Sequence, residues 1–413
     1  MKLPFMRFQR NANLYLQTIS MSALARGAFG VIQGLYILSL GFSETVLGTV
    51  LSARLLAAAA FSVPAGMFSD RVGRKPVLIA AGVLTTAGYL GMAVVSSPTL
   101  MVAFSCVVGI AEACQMTSGV PLLAESSTPE DRAKLFGVNF SLSNGVSMVG
   151  SLLGGFLPKQ LKFMGLVSAY RVALAVFSMV TLAGVAPCLK LKEEKKEELR
   201  PKEILSSAGE ELKELVRTGS QREVQSLLGY NVLIGFGAGL VIPYFNVFLT
   251  HKLSVESDVV GLILSFSQGA TAVAGLIAPL LAERFGKVAT VVGTQVASIP
   301  FLLLIALPPN VYLVSFALFM RSALMNMSNP VASTFSMEIV GADRRGKMSS
   351  LSRIADNITR SASAAVAGYI MANWSYEAPY FFTAALYLMA SVVYWRAFRN
   401  WGLTDSGRKR DNY

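Results

Sequence analysis

Long apolar runs separated by short polar punctuation recur along the whole chain. Each run holds about 20 residues or more, enough for a helix to cross a hydrocarbon core of about 30 Å. The pattern predicts twelve spans, at about 12 to 40, 44 to 67, 75 to 96, 99 to 124, 135 to 157, 167 to 189, 225 to 250, 257 to 281, 287 to 307, 310 to 338, 348 to 372 and 377 to 399. Six precede a charged stretch at 190 to 222 and six follow it. Segments of about ten residues with strict polar–apolar alternation, the mark of a membrane β-barrel, are absent. The expected fold class is an all-α integral membrane protein in two six-helix bundles.

Composition agrees with the pattern. The 413 residues are 53% hydrophobic and 15% charged, against about 25% charged in soluble globular domains. A formal charge of +12 would suggest nucleic acid in a soluble protein, but here its placement counts for more than its size. Alternate loops carry almost all of the basic residues: Lys2, Arg7 and Arg10 at the amino end, the hairpin at 70 to 75, the segment after 125, the central stretch, Arg284 with Lys287, Arg344 to Lys347, and the carboxyl end. The opposite loops hold Lys159, Lys162, Arg171 and Lys252. By the positive-inside rule both ends are expected in the cytosol of a cell-membrane protein, with an even number of spans. Cys106, Cys114 and Cys188 lie in or at the end of apolar runs and do not suggest a disulfide framework. The first apolar run is too long for a cleavable signal.

The expected organisation is a first bundle at 1 to 189, a cytosolic linker at 190 to 222, a second bundle at 223 to 399 and a tail at 400 to 413. Mixed charge in the linker, with opposite signs four residues apart, favours a solvated helix. A repeat supports the division. A shift of 213 positions lays Asp70-Arg71 over Glu283-Arg284, Gly73 over Gly286, Glu125 over Glu338, Arg132 over Arg345, Lys134 over Lys347, Asn144 over Asn357 and Gly155 over Gly368. Repeats of this kind place a site between the halves near the midplane.

Charges within the spans are the candidate chemistry. Each costs at least about 2.5 to 3.5 kcal/mol at the bilayer centre, so each needs a partner, a watery cavity or a function. Arg26, Arg54, Glu112 and Arg360 fall near the middles of spans 1, 2, 4 and 11, Asp356 lies one turn from Arg360, and Arg321 sits in the outer half of span 10. Four bases against two acids favour an anionic cargo, which guanidinium groups clamp in a forked geometry. The structural alternative pairs Asp356 with Arg360 on one helix and Arg54 with Glu112 across spans. Arg26 has no partner nearby in sequence and is the first candidate to face a substrate. Glu112 and Asp356 are the candidates to carry a coupling proton. In span 7, Gly235, Gly237, Gly239 and Pro243 predict a bend that would serve a gate, with Tyr244 and Asn246 as path-lining polar groups. His251, the lone histidine, is expected to pack.

The hairpin Gly66-Met67-Phe68-Ser69-Asp70-Arg71-Val72-Gly73-Arg74-Lys75-Pro76 resembles the signature between the second and third helices of the major facilitator superfamily, G-x-L-a-D-r-x-G-r-k. Gly66, Asp70, Arg71, Gly73, Arg74 and Lys75 match it, and Phe68 replaces the commoner leucine. A weaker echo runs from Ala278 to Lys287, with Pro279 for the first glycine and Glu283 for the aspartate. Gly150-Ser151-Leu152-Leu153-Gly154-Gly155 in span 5 is similar to the superfamily's antiporter signature G-P-x-x-G-G, with Ser151 for proline. The arginine common near the outer end of span 4 is missing.

The resemblance implies a secondary transporter that rocks two bundles about a midplane site, similar to drug/proton antiporters, with Gly66, Asp70, Arg71, Gly73, Arg74, Glu283 and Arg284 as a conformational latch on the cytosolic seam. Efflux of a small amphipathic or anionic compound, driven by a proton gradient, is the expected function. Uptake of an organic anion or phosphate ester is the alternative, and a non-transporting sensor or scaffold of the same fold is the alternative from another class. No His, Cys, Asp and Glu cluster suggests a metal, no nucleotide-binding loop is present and nothing suggests an enzyme. A monomer in the bilayer with a small-molecule substrate is expected, without cofactor.

Overall fold

The computed structural model describes residues 8–192, 222–307, 309–340 and 345–400. The expected linker helix lies, from 193 to 221, outside the described residues, as does the tail from 401. Twelve long helices run through the described residues: α1 (Arg10–Ser39), α2 (Glu44–Val72), α3 (Arg74–Val94), α4 (Pro98–Glu125), α5 (Pro129–Gln160), α6 (Leu166–Ala183, carried on by Val185–Leu189), α7 (Arg222–Val241), α8 (Ser257–Phe285), α9 (Lys287–Ala306), α10 (Val311–Ile339), α11 (Arg345–Asn373) and α12 (Ala378–Phe398). Without water in the hydrocarbon, backbone groups must pair within the helix itself. Leu56, Phe61, Phe156, Phe266 and Phe316 on the outside of the helices stay exposed, as lipid-facing residues do.

The helices form two six-helix bundles of the same design. In the first, α1 packs on α5 and α6, α3 on α4 and α6, and α2 on α4; in the second, α7 packs on α11 and α12, α9 on α10 and α12, and α8 on α10. Moving each helix of the first set six places along the chain gives the second set. The bundles meet where α2 packs on α11 and α5 on α8, two contacts that the same shift exchanges.

Among the described residues, eleven helices are long and apolar enough to cross a membrane by composition. The exception, α11, carries Arg353, Asp356 and Arg360 but lies between α7 of its own bundle and α2 of the other, so its polar face is turned away from lipid. Helices α2, α5 and α8 overrun the expected spans, α8 by running on to Phe285. Helix α2 continues through Gly66 to Val72, and α5 begins at Pro129, where Thr128 Oγ1 caps it by accepting from Asp131 N at 3.2 Å. Polar first and last turns are invisible to an apolar count but stay helical once capped.

The bend expected in span 7 is present. After Val241 the chain makes a 3-10 turn at Ile242–Tyr244, a short helical turn at Phe245–Val247 and a π turn at Phe248–Lys252. Pro243 has no N–H to continue the ladder.

The hairpin joins α2 and α3, which are not close neighbours, since α2 packs chiefly on α4. Gly66 is inside α2, and a methyl group there would meet Thr117 at an ordinary 3.8 Å. The bend itself is Gly73, at φ +102° and ψ 163°, a region open in practice only to glycine. Its counterpart Gly286 has φ +84°. Arg74, almost wholly buried, binds Asp70 at 2.6 Å and Glu125 on α4 at 3.2 Å, and donates to Ser69 Oγ at 2.9 Å; Ser118 of α4 donates to the same Ser69 at 2.8 Å. The arginine thus staples the bend to α4. In the echo, Lys287 pairs with Glu338, the positions that the 213 shift lays over Arg74 and Glu125.

Gly73→Ala is expected to cost about 1 to 3 kcal/mol of backbone strain and to lower the unfolding temperature of detergent-purified protein, while Gly66→Ala leaves it close to the parent's. Equal effects of the two substitutions would contradict this account of the bend.

Candidate functional site

The two faces of the molecule differ. On the face opposite the Gly73 and Gly286 bends, the bundles are sealed together. Gly48 on α2 meets Gly368 on α11, and Gly155 on α5 meets Gly261 on α8. At each crossing a methyl group would run into backbone: Ala364 O at 2.8 Å from Gly48, Glu44 O at 2.4 Å from Gly368, Ser257 O at 2.3 Å from Gly155 and Ser151 O at 2.5 Å from Gly261. Each pair maps onto the other under the 213 shift, so the seam has the symmetry of the repeat. Helix backbones can come this close only where side chains are missing.

Hydrogen bonds and ion pairs line the seam. Asn246 Nδ2 donates to Val31 O of α1 at 3.0 Å, Tyr244 Oη donates to Ala364 O at 2.6 Å, Ser361 Oγ donates to Ser52 O at 2.8 Å, and Tyr376 donates to Glu44. Lys159 binds Glu256 at 3.0 Å and Asp258 at 2.8 Å, and Lys162 binds Glu256 at 3.3 Å. These two lysines hold the Glu256 carboxyl below the usual carboxylate range. Ser151, which stands where the antiporter signature has proline, accepts from Gln268 Nε2 of α8 at 2.6 Å and donates to Gly27 O of α1 at 3.1 Å. A proline could do neither. Tyr244 and Asn246, expected to line a path, are fully buried in this seam.

Below the seam, toward the face with the bends, lies a cavity of about 270 Å³. Arg26, Glu112, Phe29, Tyr89 and Gln115 line it from the first bundle, and Asn357 of α11 faces it from the second. Phe29 and Tyr89 stack at 3.6 Å between ring centres. Behind them, Arg54 donates to Gln33 Oε1 at 3.3 Å and Tyr89 Oη at 3.2 Å, and its Nε stands 3.9 Å from Glu112 Oε1. Arg26 is exposed in the cavity and has no hydrogen-bond or ion-pair partner among the described residues.

The sequence-derived residues therefore separate into three groups. Arg26, Arg54 and Glu112 come together at the cavity. Asp356 and Arg360 pair with each other at 2.8 Å on one face of α11. Arg321 is buried in the second bundle, with no ion pair to an acid among the described residues. Of the latch residues, Asp70 is held by Arg74 within its own bundle, while Arg71, Glu283 and Arg284 stand at the bends. Sequence reasoning missed Gln33 and Tyr89, because neutral hydrogen-bonding groups in an apolar helix give no signal, and missed Gly48 and Gly261. The latter pair was accessible, since the 213 shift lays one over the other.

Two like six-helix bundles in the same orientation, joined at a seam, are the layout of secondary transporters built from parallel repeats. The chain belongs to the Major Facilitator Superfamily, whose sequence profile matches residues 18–222 and 227–410. It is 34% identical over 137 residues to the tetracycline resistance protein, class C, of Escherichia coli, a stretch covering 33% of this chain and 32% of the relative. It is 25% identical over 129 residues to the multidrug resistance protein MdtH of Edwardsiella ictaluri, covering 31% and 32%. The chain thus spans about a third of the length of these curated relatives. Among solved structures, the nucleoside transporter NupG has the same fold, with a TM-score of 0.74 at 14% identity, covering 94% of this chain and 99% of that one.

Because the Glu256 carboxyl is depressed by its lysines, its contribution to closure is complete above the ordinary glutamate pKa and lost as pH falls through the paired value. Opening of the sealed face, read by labelling of a Val31→Cys reporter in a chain whose Cys106, Cys114 and Cys188 are serine, is expected to be flat from about pH 5 to about pH 8 and to rise below about pH 4. Salt should raise it as well, since exposed pairs are screened over about 10 Å at 0.1 M.

Proposed function

We propose that this transporter exports a small organic anion with some apolar surface, by proton-coupled alternating access. The observation that carries the reading is Arg26, exposed in the cavity without a partner beside the Arg54–Glu112 pair. The three side chains sum to one positive charge. A carboxylate taken up by Arg26 meets hydrogen-bond donors on Gln115 and Asn357, and its apolar part meets the Phe29–Tyr89 stack. Glu112, which faces the cavity and touches Arg54 loosely, is the group we assign to the coupling proton, with Asp356 as the second candidate. Arg360, which keeps its acid one turn away, is the remaining base from which a substrate would have to displace a carboxylate.

Tyr244 and Asn246 enter this reading as parts of the gate that must part before a substrate leaves. With the bends in the cytosol, as the distribution of lysine and arginine supports, the sealed face is the outer one and the cavity opens inward. The pairing of Arg74 with Asp70 and Glu125 then belongs to the inward-open state. In the opposite state the Gly66, Asp70, Arg71, Gly73, Arg74, Glu283 and Arg284 group meets across the cytosolic seam as a latch. The relatives named as multidrug and tetracycline resistance proteins favour export over uptake.

The test is counterflow of labelled organic anions in proteoliposomes with and without a pH gradient. Arg26→Ala is expected to weaken the apparent affinity for an anionic substrate by about tenfold or more, the worth of one hydrogen bond to a charged group. Glu112→Gln is expected to keep counterflow and lose acceleration by the gradient. Uptake of organic cations alone, unaffected by Arg26→Ala, would overturn the anionic reading.

A further inference from the structure

Arg321 has no part in the cavity. It lies in the first half of α10, is 2% exposed, and heads the largest fully buried side chains among the described residues. Among the described residues no carboxylate forms an ion pair with it, and Glu377 lies beyond Tyr380. One Nη donates to Tyr387 Oη on α12 at 3.1 Å, the guanidinium carbon stands 5.1 Å from the ring centre of Phe245, and Nε has no hydrogen-bond partner. Tyr380 packs against the same aromatic group, 6.3 Å from Phe245 and 4.8 Å from Phe248, and its hydroxyl is also without a partner. A buried cation ordinarily has an acid or a ring of acceptors around it. This one has a phenol, an aromatic face and an idle N–H, with an idle O–H close by. A permanent positive charge with unused donors is complementary to a carboxylate.

The cover over Arg321 is tied to the seam. Phe245 belongs to the irregular stretch after α7, and its neighbour Asn246 donates across the bundles to Val31 O. Parting the bundles on this face breaks that bond and pulls on a stretch that no regular helical ladder holds in place. Phe245 moves with it.

We propose that Arg321, with Tyr387 and Tyr380, forms a carboxylate-binding site that is covered by Phe245 while the seam is closed and opens to the outer face when the bundles part. The site rests on the alternating-access reading above and extends it. An organic anion would then have a separate arginine at each end of its route, Arg26 from the cytosol and Arg321 at the outer exit. Phe245, which now covers the guanidinium by a cation–π contact, would be replaced there by the ligand.

The test uses detergent-purified full-length protein, phenylglyoxal as the arginine reagent, mass spectrometry to read the adduct at Arg321, and benzoate as the anionic probe. Gly155→Val and Gly48→Val, which bar closure of the two crossings, are expected to raise the rate of adduct formation at Arg321 by about tenfold over the parent, within the usual range of coupling between sites. Benzoate should slow that reaction, and choline should not. Phe245→Ala should expose Arg321 while a Val31→Cys reporter stays unlabelled. Seam variants in which the reporter becomes reactive but Arg321 does not, or in which benzoate gives no protection, overturn this site and leave the transporter reading standing. A reporter that stays silent in both seam variants overturns the state-dependent opening and this proposal together.

Discussion

Close approach of helix backbones across the seam is the constraint on which the rest of the structure depends. Where Gly48 meets Gly368 and Gly155 meets Gly261, there is no room for even a methyl group. Dispersion falls away within a fraction of an ångström, so such a contact is either made or lost. That property suits a gate between two rigid bundles. It also brings Asn246 to Val31 and Lys159 to Glu256, which add direction to a contact that packing alone leaves non-directional.

The charges in the spans are arranged around that closure. Arg54 and Glu112 begin just below the Ser52–Ser361 hydrogen bonds, where the seam ends and the cavity starts. Asp356 and Arg360 neutralise each other on the one helix too polar to count as a span by composition. Arg74 and Lys287 hold the bends to α4 and α10 through Glu125 and Glu338. Membrane helices tolerate these groups because each faces a partner, a cavity or protein rather than lipid. Arg321 is the exception, a buried base with a phenol where an acid would be expected.

The departures of this chain from its superfamily's signatures have physical consequences. Ser151 in place of proline restores a donor and an acceptor at the centre of the α1, α5 and α8 contact. Lysine and glutamate in the echo hairpin keep the ion pair that arginine and glutamate make in the first, although no aspartate counterpart joins it: Glu283 stays in solvent. The duplicated design was preserved in its geometry more closely than in its side chains.

Twelve long helices, the two halves and the repeat were legible in the sequence, because lipid imposes length and apolarity on each helix separately and a charge stands out against that background. The pairing of Asp356 with Arg360 was legible too, since four residues bring side chains together on any helix. Partners that depend on which helices touch were not. Nothing along the chain says that Gly155 meets Gly261, that Tyr244 and Asn246 lie in a seam rather than a path, or that Arg26 is left free while Arg54 is held by Tyr89 and Gln33. Those facts belong to the packing of one bundle against the other, which small residues permit at many registers and only the assembled fold selects.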